Sequence, residues 1–422
     1  MNHYKLVIIG GGSAGLAAAA AAYDAGITDP ENGILILERD REPGGILQQC
    51  IHNGFGLHRF GEELSGPSYA ERWAKEVEKR GISCRLNSMV THLSKDRVVE
   101  YVNAAEGVVS VQADAVILAM GCRERTRGAL AIPGYRPAGV WTAGAAQRYL
   151  NLEGLRIGTR AFILGSGDIG LIMARRLTLE GAKVLGVAEI MPYSNGLPRN
   201  MKQCLEDFDI PLYLSHTITE IRGRDRLTGV TISQVDSRMQ PIAGTEKDFD
   251  VDTLLLSVGL IPEMNLGEEA GIAIDPATKG AFVNEALETS VPGIFSCGNV
   301  LHVHDLVDYV SAEGEKAGRM AAGYLMHDLK EDHAVAIRAG SGVGALLPQT
   351  VRPSNVEKSQ EISFRVRKES RNSTIDIYRD GVKLRSIKKL HLVPACMENI
   401  TLTRAELEQA AGEIRLEIGG AV

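Results

Sequence analysis

The chain has 422 residues, of which 44% are hydrophobic and 23% charged, with a formal net charge of −7. That length exceeds one ordinary domain, so two or three are expected, each with enough apolar content for a core. The acidic balance gives no reason to expect nucleic acid, and no uninterrupted apolar run of about 18 residues is present to span a membrane.

The first element is the apolar run Leu6-Val7-Ile8-Ile9, read as a strand, which leads straight into Gly10-Gly11-Gly12-Ser13-Ala14-Gly15. A helix is expected over Leu16–Ala25, then a strand over Gly33–Leu37 that ends in Glu38. In this G-x-G-x-x-G turn, Gly10 makes the tight bend and Gly12 lets backbone approach a pyrophosphate. Gly15 lets helix pack on strand, leaving the helix N-terminus facing the phosphates. Glu38 falls about 20 residues past the last glycine, where a carboxylate can bind ribose hydroxyls. The fingerprint also interrupts the N-terminal apolar run, so no secretory signal is read there.

Pro67–Arg80 reads as an amphipathic helix, with Tyr69, Trp73 and Val77 recurring at helical spacing. Ala115–Gly121 reads as a buried strand ending in glycine. The opening pattern then repeats: Ala161-Phe162-Ile163-Leu164, the fingerprint Gly165-Ser166-Gly167-Asp168-Ile169-Gly170, a helix to about Glu180, and a strand Ala182–Ala188 ending in Glu189. A carboxylate at 189 would repel a 2′-phosphate, and Ile190-Met191-Pro192 offers no arginine to receive one, which favours NAD over NADP. A second buried strand follows at Thr253–Gly259, continuing into Leu260-Ile261-Pro262. Gly293–Asn299 precedes a helix of small residues through Ala322. His302 and His304 form an H-x-H, but without a second ligand pair nearby in sequence no metal site is expected.

From about His333 the texture changes. Ile362–Arg367 and Ile375–Tyr378 alternate apolar and polar residues, and Asp380-Gly381 signals a hairpin. A small, separate β-rich domain is expected, with a subunit-contact role. It holds 14 lysines and arginines against 10 aspartates and glutamates, a solvated face or a dock for an acidic partner. Six cysteines (Cys50, Cys84, Cys122, Cys204, Cys297, Cys396) are scattered without short pairing, as suits a reducing cytoplasm.

In this order the elements resemble the two-dinucleotide-binding-domain flavoproteins of the pyridine nucleotide–disulfide oxidoreductase superfamily, over roughly residues 1–330. Ala119-Met120-Gly121 is similar to the "ATG" crossing of that family, Val258–Pro262 to its return crossing, and Phe295–Asn299 to its second FAD motif. The resemblance implies an α/β fold of two Rossmann-like domains, the second inserted in the first, with 1–122 and 260–332 for FAD and 123–259 for NAD(P); the β-rich domain read from the alternation covers 333–422. It places Gly10, Gly12, Ser13, Ala14, Gly15, Glu38, Gly45, Gly121, Gly298, Asn299 and Val310 at FAD, with Glu38 on the adenosine ribose. Asn299 stands where the family usually has an aspartate for the ribityl chain. The helix opening near Asp308–Ser311 would aim its N-terminus at flavin O2. Gly165, Gly167, Asp168, Ile169, Gly170, Glu189 and Gly259 fall to NAD(H).

Departures from the family narrow the expectation. The C-x-x-C that thioredoxin reductases carry before the second fingerprint is replaced by Gly139-Val140-Trp141-Thr142-Ala143-Gly144-Ala145-Ala146. The cysteine pair of glutathione-reductase-like enzymes is reduced to Cys50. Gly121-Cys122-Arg123-Glu124-Arg125, Ile132-Pro133-Gly134 and Gly139–Gln147 are closer to the FAD/NAD subunits of multi-subunit dehydrogenases acting on opines, glycine and proline, and to companions of glycerol-3-phosphate dehydrogenase. This branch implies a cytoplasmic, oligomeric enzyme passing electrons between NAD(H) and a second flavoprotein dehydrogenase. A second reading makes Cys50, in the loop Cys50–His58 beside the isoalloxazine, a single redox cysteine of an NADH-dependent disulfide or peroxide reductase, with His52 as its proton donor. The plainer alternatives are a packing cysteine and a histidine bonded to loop backbone. A third reading is a docking subunit with a vestigial NAD site.

Overall fold

The structure, a computed structural model, describes residues 1–420. The chain divides into two compact units, the first formed by Met1–Cys122 together with everything from Pro262 onward, the second by Arg123–Ile261.

In the first unit the strand Asn2–Ile9 pairs in parallel with Ile34–Leu37 on one side and Gly107–Leu118 on the other, with Val7 opposite Leu35 and Val116. Ser83–Arg85 extends the sheet beyond Ile34–Leu37, and Ile294–Ser296 joins Gly107–Leu118 in parallel. Val98–Asn103 and Met89–Leu93 add an antiparallel meander. The central strands are apolar on both faces, the pattern of a sheet buried on both sides. Leu6, Val7, Ile8, Leu35, Ile36 and Ile117 are fully buried. The amphipathic stretch is the helix Gly66–Lys79, which buries Tyr69, Trp73 and Val77 and opens with Ser65 as its cap.

In the second unit five parallel strands run in the order Val140–Thr142, Thr253–Leu256, Arg160–Leu164, Lys183–Glu189, Leu212–Leu214. A three-stranded antiparallel sheet, His216–Arg222, Gly229–Gln234 and Lys247–Phe249, follows.

The last ninety residues or so have their own hydrophobic core, built around Ile337, Ile362, Phe364, Ile375, Ile377 and Leu416, and group with the first unit, while Leu260 and Ile261 group with the second. The hairpin read at Asp380-Gly381 joins Ser370–Arg379 to Val382–Leu392. No helix among the described residues is long and apolar enough to cross a membrane.

Candidate functional site

The strand Asn2–Ile9 ends where Gly10 turns with a φ of 106°. A Cβ there would lie 2.4 Å from Ala119 O, and one on Gly15 would lie 1.9 Å from Gly10 O, so neither position admits a side chain. Gly12 is different. Its φ of −75° is ordinary, it opens the helix Ser13–Asp24, and no described atom lies within 4 Å of a Cβ placed on it. No side chain among the described residues caps that helix, so its first N–H groups open onto the space a pyrophosphate fits. Gly44 N–H donates to Gly11 O at 2.7 Å, which brings Gly45 beside the fingerprint. Glu38 is 5% exposed. One of its oxygens accepts from Gly11 N–H and the other from Asp40 N–H, both at 2.7 Å, and each retains a lone pair for a ribose hydroxyl.

The other wall comes from the end of the first unit. Gly298, with a φ of 72°, fits between Ala14 and Val310: a Cβ there would meet Ala14 Cβ at 2.8 Å and Val310 Cγ1 at 3.2 Å. Asn299 Oδ1 accepts from His304 N–H at 3.1 Å, and its amide donates weakly toward Cys122 Sγ at 3.8 Å. Gly121 turns with a φ of 75°. The helix Val307–Leu325 lies directly on Ser13–Asp24, because Gly314 and Gly318 let it touch the backbone of Ala14 and Ala18. At its start Asp308 is buried, with one oxygen accepting from His58 N–H at 3.4 Å and the other without a partner among the described residues. The cradle that a Cβ would fill, the uncapped helix start and the buried acid fit the adenine dinucleotide half of FAD.

Cys50 follows the turn Gly45–Gln49 and donates its thiol to Ile46 O at 3.3 Å. Burial pushes this thiol up to about 12, which opposes the thiolate a redox cysteine needs. His52 Nδ1 lies 3.1 Å from Asn53 O, and its ring packs 5.0 Å from Phe55. All six cysteines are free, and burial also raises the Cys297 thiol.

In the second unit Gly165 turns with a φ of 98° against Ser257 O. Gly167 opens the helix Asp168–Leu179 without a side-chain cap, and the nearest described atom to a Cβ there is Ser257 Oγ at 3.6 Å. Gly170 N–H donates to the same hydroxyl at 3.1 Å. Glu189 is 4% exposed. One oxygen accepts from Ser166 N–H at 3.0 Å and Ser166 Oγ at 2.7 Å, the other from Met191 N–H at 3.0 Å. Asp168 turns to its own protein: its Oδ1 accepts from Leu197 N–H at 2.8 Å and Asn200 Nδ2 at 2.7 Å, fastening the segment before the helix Pro198–Cys204. Ile169 lies in the first turn beside it, and Gly259 O accepts from Arg125 N–H at 3.1 Å. Ser166 and Ser257 carry no signal of their own in the sequence. Ser166 sits between two fingerprint glycines, where any residue is allowed, and Ser257 reaches Gly170 only through the sheet.

Comparison with known proteins agrees with this geometry. The pyridine nucleotide-disulphide oxidoreductase family model matches residues 4–320. Hydrogen cyanide synthase subunit HcnB of Pseudomonas protegens is 27% identical, over 75% of this chain and 69% of its own. An opine oxidase subunit of Agrobacterium tumefaciens is 25% identical, over 78% of this chain and 66% of its own. The NAD(P)H coenzyme A polysulfide/persulfide reductase of Pyrococcus horikoshii is 25% identical, over 72% and 64%. Among solved structures, T. acidophilum thioredoxin reductase shares the fold with a TM-score of 0.61 at 22% identity, covering 76% of this chain and 99% of its own. The chain belongs to the pyridine nucleotide-disulphide oxidoreductase family and is a flavin-dependent oxidoreductase whose cofactors are FAD and NAD(P)H.

Proposed function

We propose that this chain is the FAD- and NAD(H)-binding subunit of a larger cytoplasmic dehydrogenase, carrying electrons between NAD(H) and a partner flavoprotein. The observation that carries this reading is the state of the thiols. Cys50 is the one cysteine of its loop, and burial pushes its thiol up, away from the thiolate a redox cysteine needs. The helix Ala143–Asn151 begins where thioredoxin reductases have their C-x-x-C, yet here Glu124 accepts its Gly144 N–H at 2.8 Å. With no cysteine pair and a raised Cys50 thiol, the flavin would pass its electrons to a partner protein and not through a thiol relay. The relatives named as subunits of hydrogen cyanide synthase and opine oxidase support a protein partner.

FAD, when bound, supplies hydride acceptance at N5 and onward release of the electrons. The chain's contribution is binding and orientation. Gly12, Ser13 and Ala14 offer N–H groups to the FAD pyrophosphate, Glu38 holds its ribose, and Asn299 takes a hydrogen bond at the ribityl chain. Gly167 and the N–H groups of Asp168 and Ile169 do the same for NAD(H). Glu189, already anchored by Ser166, receives the ribose hydroxyls and rejects a 2′-phosphate.

The test is an anaerobic visible titration of the purified flavoprotein with NADH and then NADPH, repeated on Cys50→Ser. The expected result is rapid bleaching by NADH, much slower bleaching by NADPH, and an unchanged Cys50→Ser variant. Loss of turnover in Cys50→Ser, with a long-wavelength thiolate-to-flavin band in the wild type, would replace this reading with the single-cysteine reductase. A flavin that neither nucleotide reduces would replace it with the docking role.

A further inference from the structure

His302 and His304, which have no second ligand pair nearby in sequence, gain one further ligand from the fold. The helix Val307–Leu325 brings Glu313 against both. His302 Nε2 lies 2.9 Å from one Glu313 oxygen and His304 Nε2 3.0 Å from the other, with the two rings 4.0 Å apart between centroids. The three ligand atoms lie within 4.8 Å of one another, and the side chains are 6%, 9% and 14% exposed. We propose that His302, His304 and Glu313 form a site for a divalent transition-metal cation of the zinc class, adjoining the FAD cradle through Gly298 and Asn299.

The donor set selects the ion class. Two imidazole nitrogens and one carboxylate suit Zn²⁺ and its first-row neighbours, whereas Ca²⁺ and Mg²⁺ call for oxygen cages. The spacing is close to what such an ion needs. Two atoms each about 2.1 Å from a shared zinc at a tetrahedral angle lie about 3.4 Å apart. His302 and His304 meet different oxygens of Glu313, at 2.9 and 3.0 Å, and the three ligand atoms lie within 4.8 Å of one another. Three protein ligands leave a fourth position for water or an anion, the pattern of an open zinc site and not of a closed structural one.

The ligands are also held in place, which a metal site requires of its surroundings. Gly298 N–H donates to Glu313 at 2.6 Å, and His304 N–H is fixed on Asn299. Between and beyond the two histidines, Arg365 donates to Val303 O at 3.0 Å and pairs with Asp305, whose other oxygen accepts from Met397 N–H at 2.7 Å. The C-terminal β-rich segment thus clamps the loop that carries both histidines. His302 Nδ1 is buried with no partner among the described residues, so that ring is oriented by what its Nε2 meets. A bound cation would tie Gly298 and Asn299, through Glu313 and His304, to the same fixed point.

The test uses the purified flavoprotein, stripped with EDTA, titrated with Zn²⁺ by calorimetry and desalted for metal analysis by mass spectrometry. One zinc per chain is expected, with affinity reduced at least about a hundredfold in Glu313→Gln and in His304→Gln. His333→Gln, an exposed histidine outside the cluster, should bind as the wild type does. Retained flavin absorbance shows that each variant is folded. Should either ligand variant lose its flavin, Co²⁺ titration of the wild type gives a second readout, in the visible band of tetrahedral nitrogen and oxygen coordination. Wild-type protein that retains no more zinc than Glu313→Gln, shows no Co²⁺ band, or binds zinc equally well in all variants overturns the proposal.

Discussion

Arg352 Nε lies 2.9 Å from Glu285 Oε1, while the backbone N–H of Arg352 donates to Oε2 of the same carboxylate at 2.8 Å. Both side chains are buried, Asn355 Nδ2 adds a third donor to Glu285 at 2.9 Å, and Glu288 stands 3.5 Å from the guanidinium. Gln349 supports the same seam, accepting from Val283 N–H at 2.9 Å and donating to Asp275 at 2.8 Å. These contacts fasten the C-terminal strands to the rest of the first unit.

Replacing Arg352 by methionine should therefore be costly, since it leaves the Glu285 charge buried with its strongest partner gone. A loss of about 3 kcal/mol in the urea stability of the first unit is expected. A loss below about 1 kcal/mol would show that the seam holds without its ion pair.

Gly12 and Gly15 should separate folding from flavin binding. Gly12→Ala meets no described atom and keeps an ordinary φ, so the protein should fold with native circular dichroism but purify without flavin. Gly15→Ala drives a methyl group into Gly10 O and should reduce the yield of folded protein itself. Full flavin content in Gly12→Ala would remove the pyrophosphate from this turn.

Glu189→Gln tests the nicotinamide side. It keeps the shape of the side chain but removes the charge held by Ser166 and Met191. The KM for NADH should rise about tenfold, equivalent to about 1.4 kcal/mol, while the preference against NADPH narrows and flavin content stays unchanged. An unaltered NADH to NADPH ratio would take Glu189 out of nucleotide selection.

The Cys50 thiol gives a prediction about pH. A thiol at about 12 is almost wholly protonated at pH 8, with about one molecule in ten thousand as thiolate. Its alkylation by iodoacetamide in the native protein should be slow at pH 8 and rise about tenfold per pH unit toward the alkaline end, as long as the fold survives. Rapid labelling at pH 7, followed by peptide mapping to Cys50, would contradict this and favour the redox role.

Much of the site was legible in the chain because its signals are local. Each fingerprint follows an apolar strand and precedes a helix, and the helices start at Ser13 and Asp168, slightly ahead of the apolar stretches that first mark them. Glu38 and Glu189 stand at strand ends that periodicity alone locates. What could not be read depends on partners distant in sequence. Ser257 meets Gly170 across 87 residues, and Arg352 meets Glu285 across 67. Glu313 looks like any acid on an exposed helical face until the turn at Gly298 folds the two histidines back over it. In the C-terminal segment the alternation and the hairpin were visible, but not the parallel pairing of Val335–Ala339 with Glu413–Gly419, which is set by where the intervening strands pack.

The contact of Gly314 and Gly318 with Ala14 and Ala18 fixes the order in which the molecule can be assembled on the ribosome. The wall of the first cradle is synthesised about 300 residues after the turn it closes, and Ile294–Ser296 of the same sheet arrives only shortly before it. By then Arg123–Ile261 is complete and free to fold, while Met1–Cys122 holds six strands of the seven-stranded sheet but lacks Ile294–Ser296 and the helix Val307–Leu325. The FAD cradle is closed only after that late segment is made. A chain stopped before the helix Val307–Leu325 would keep its nicotinamide fold and lack a seat for FAD.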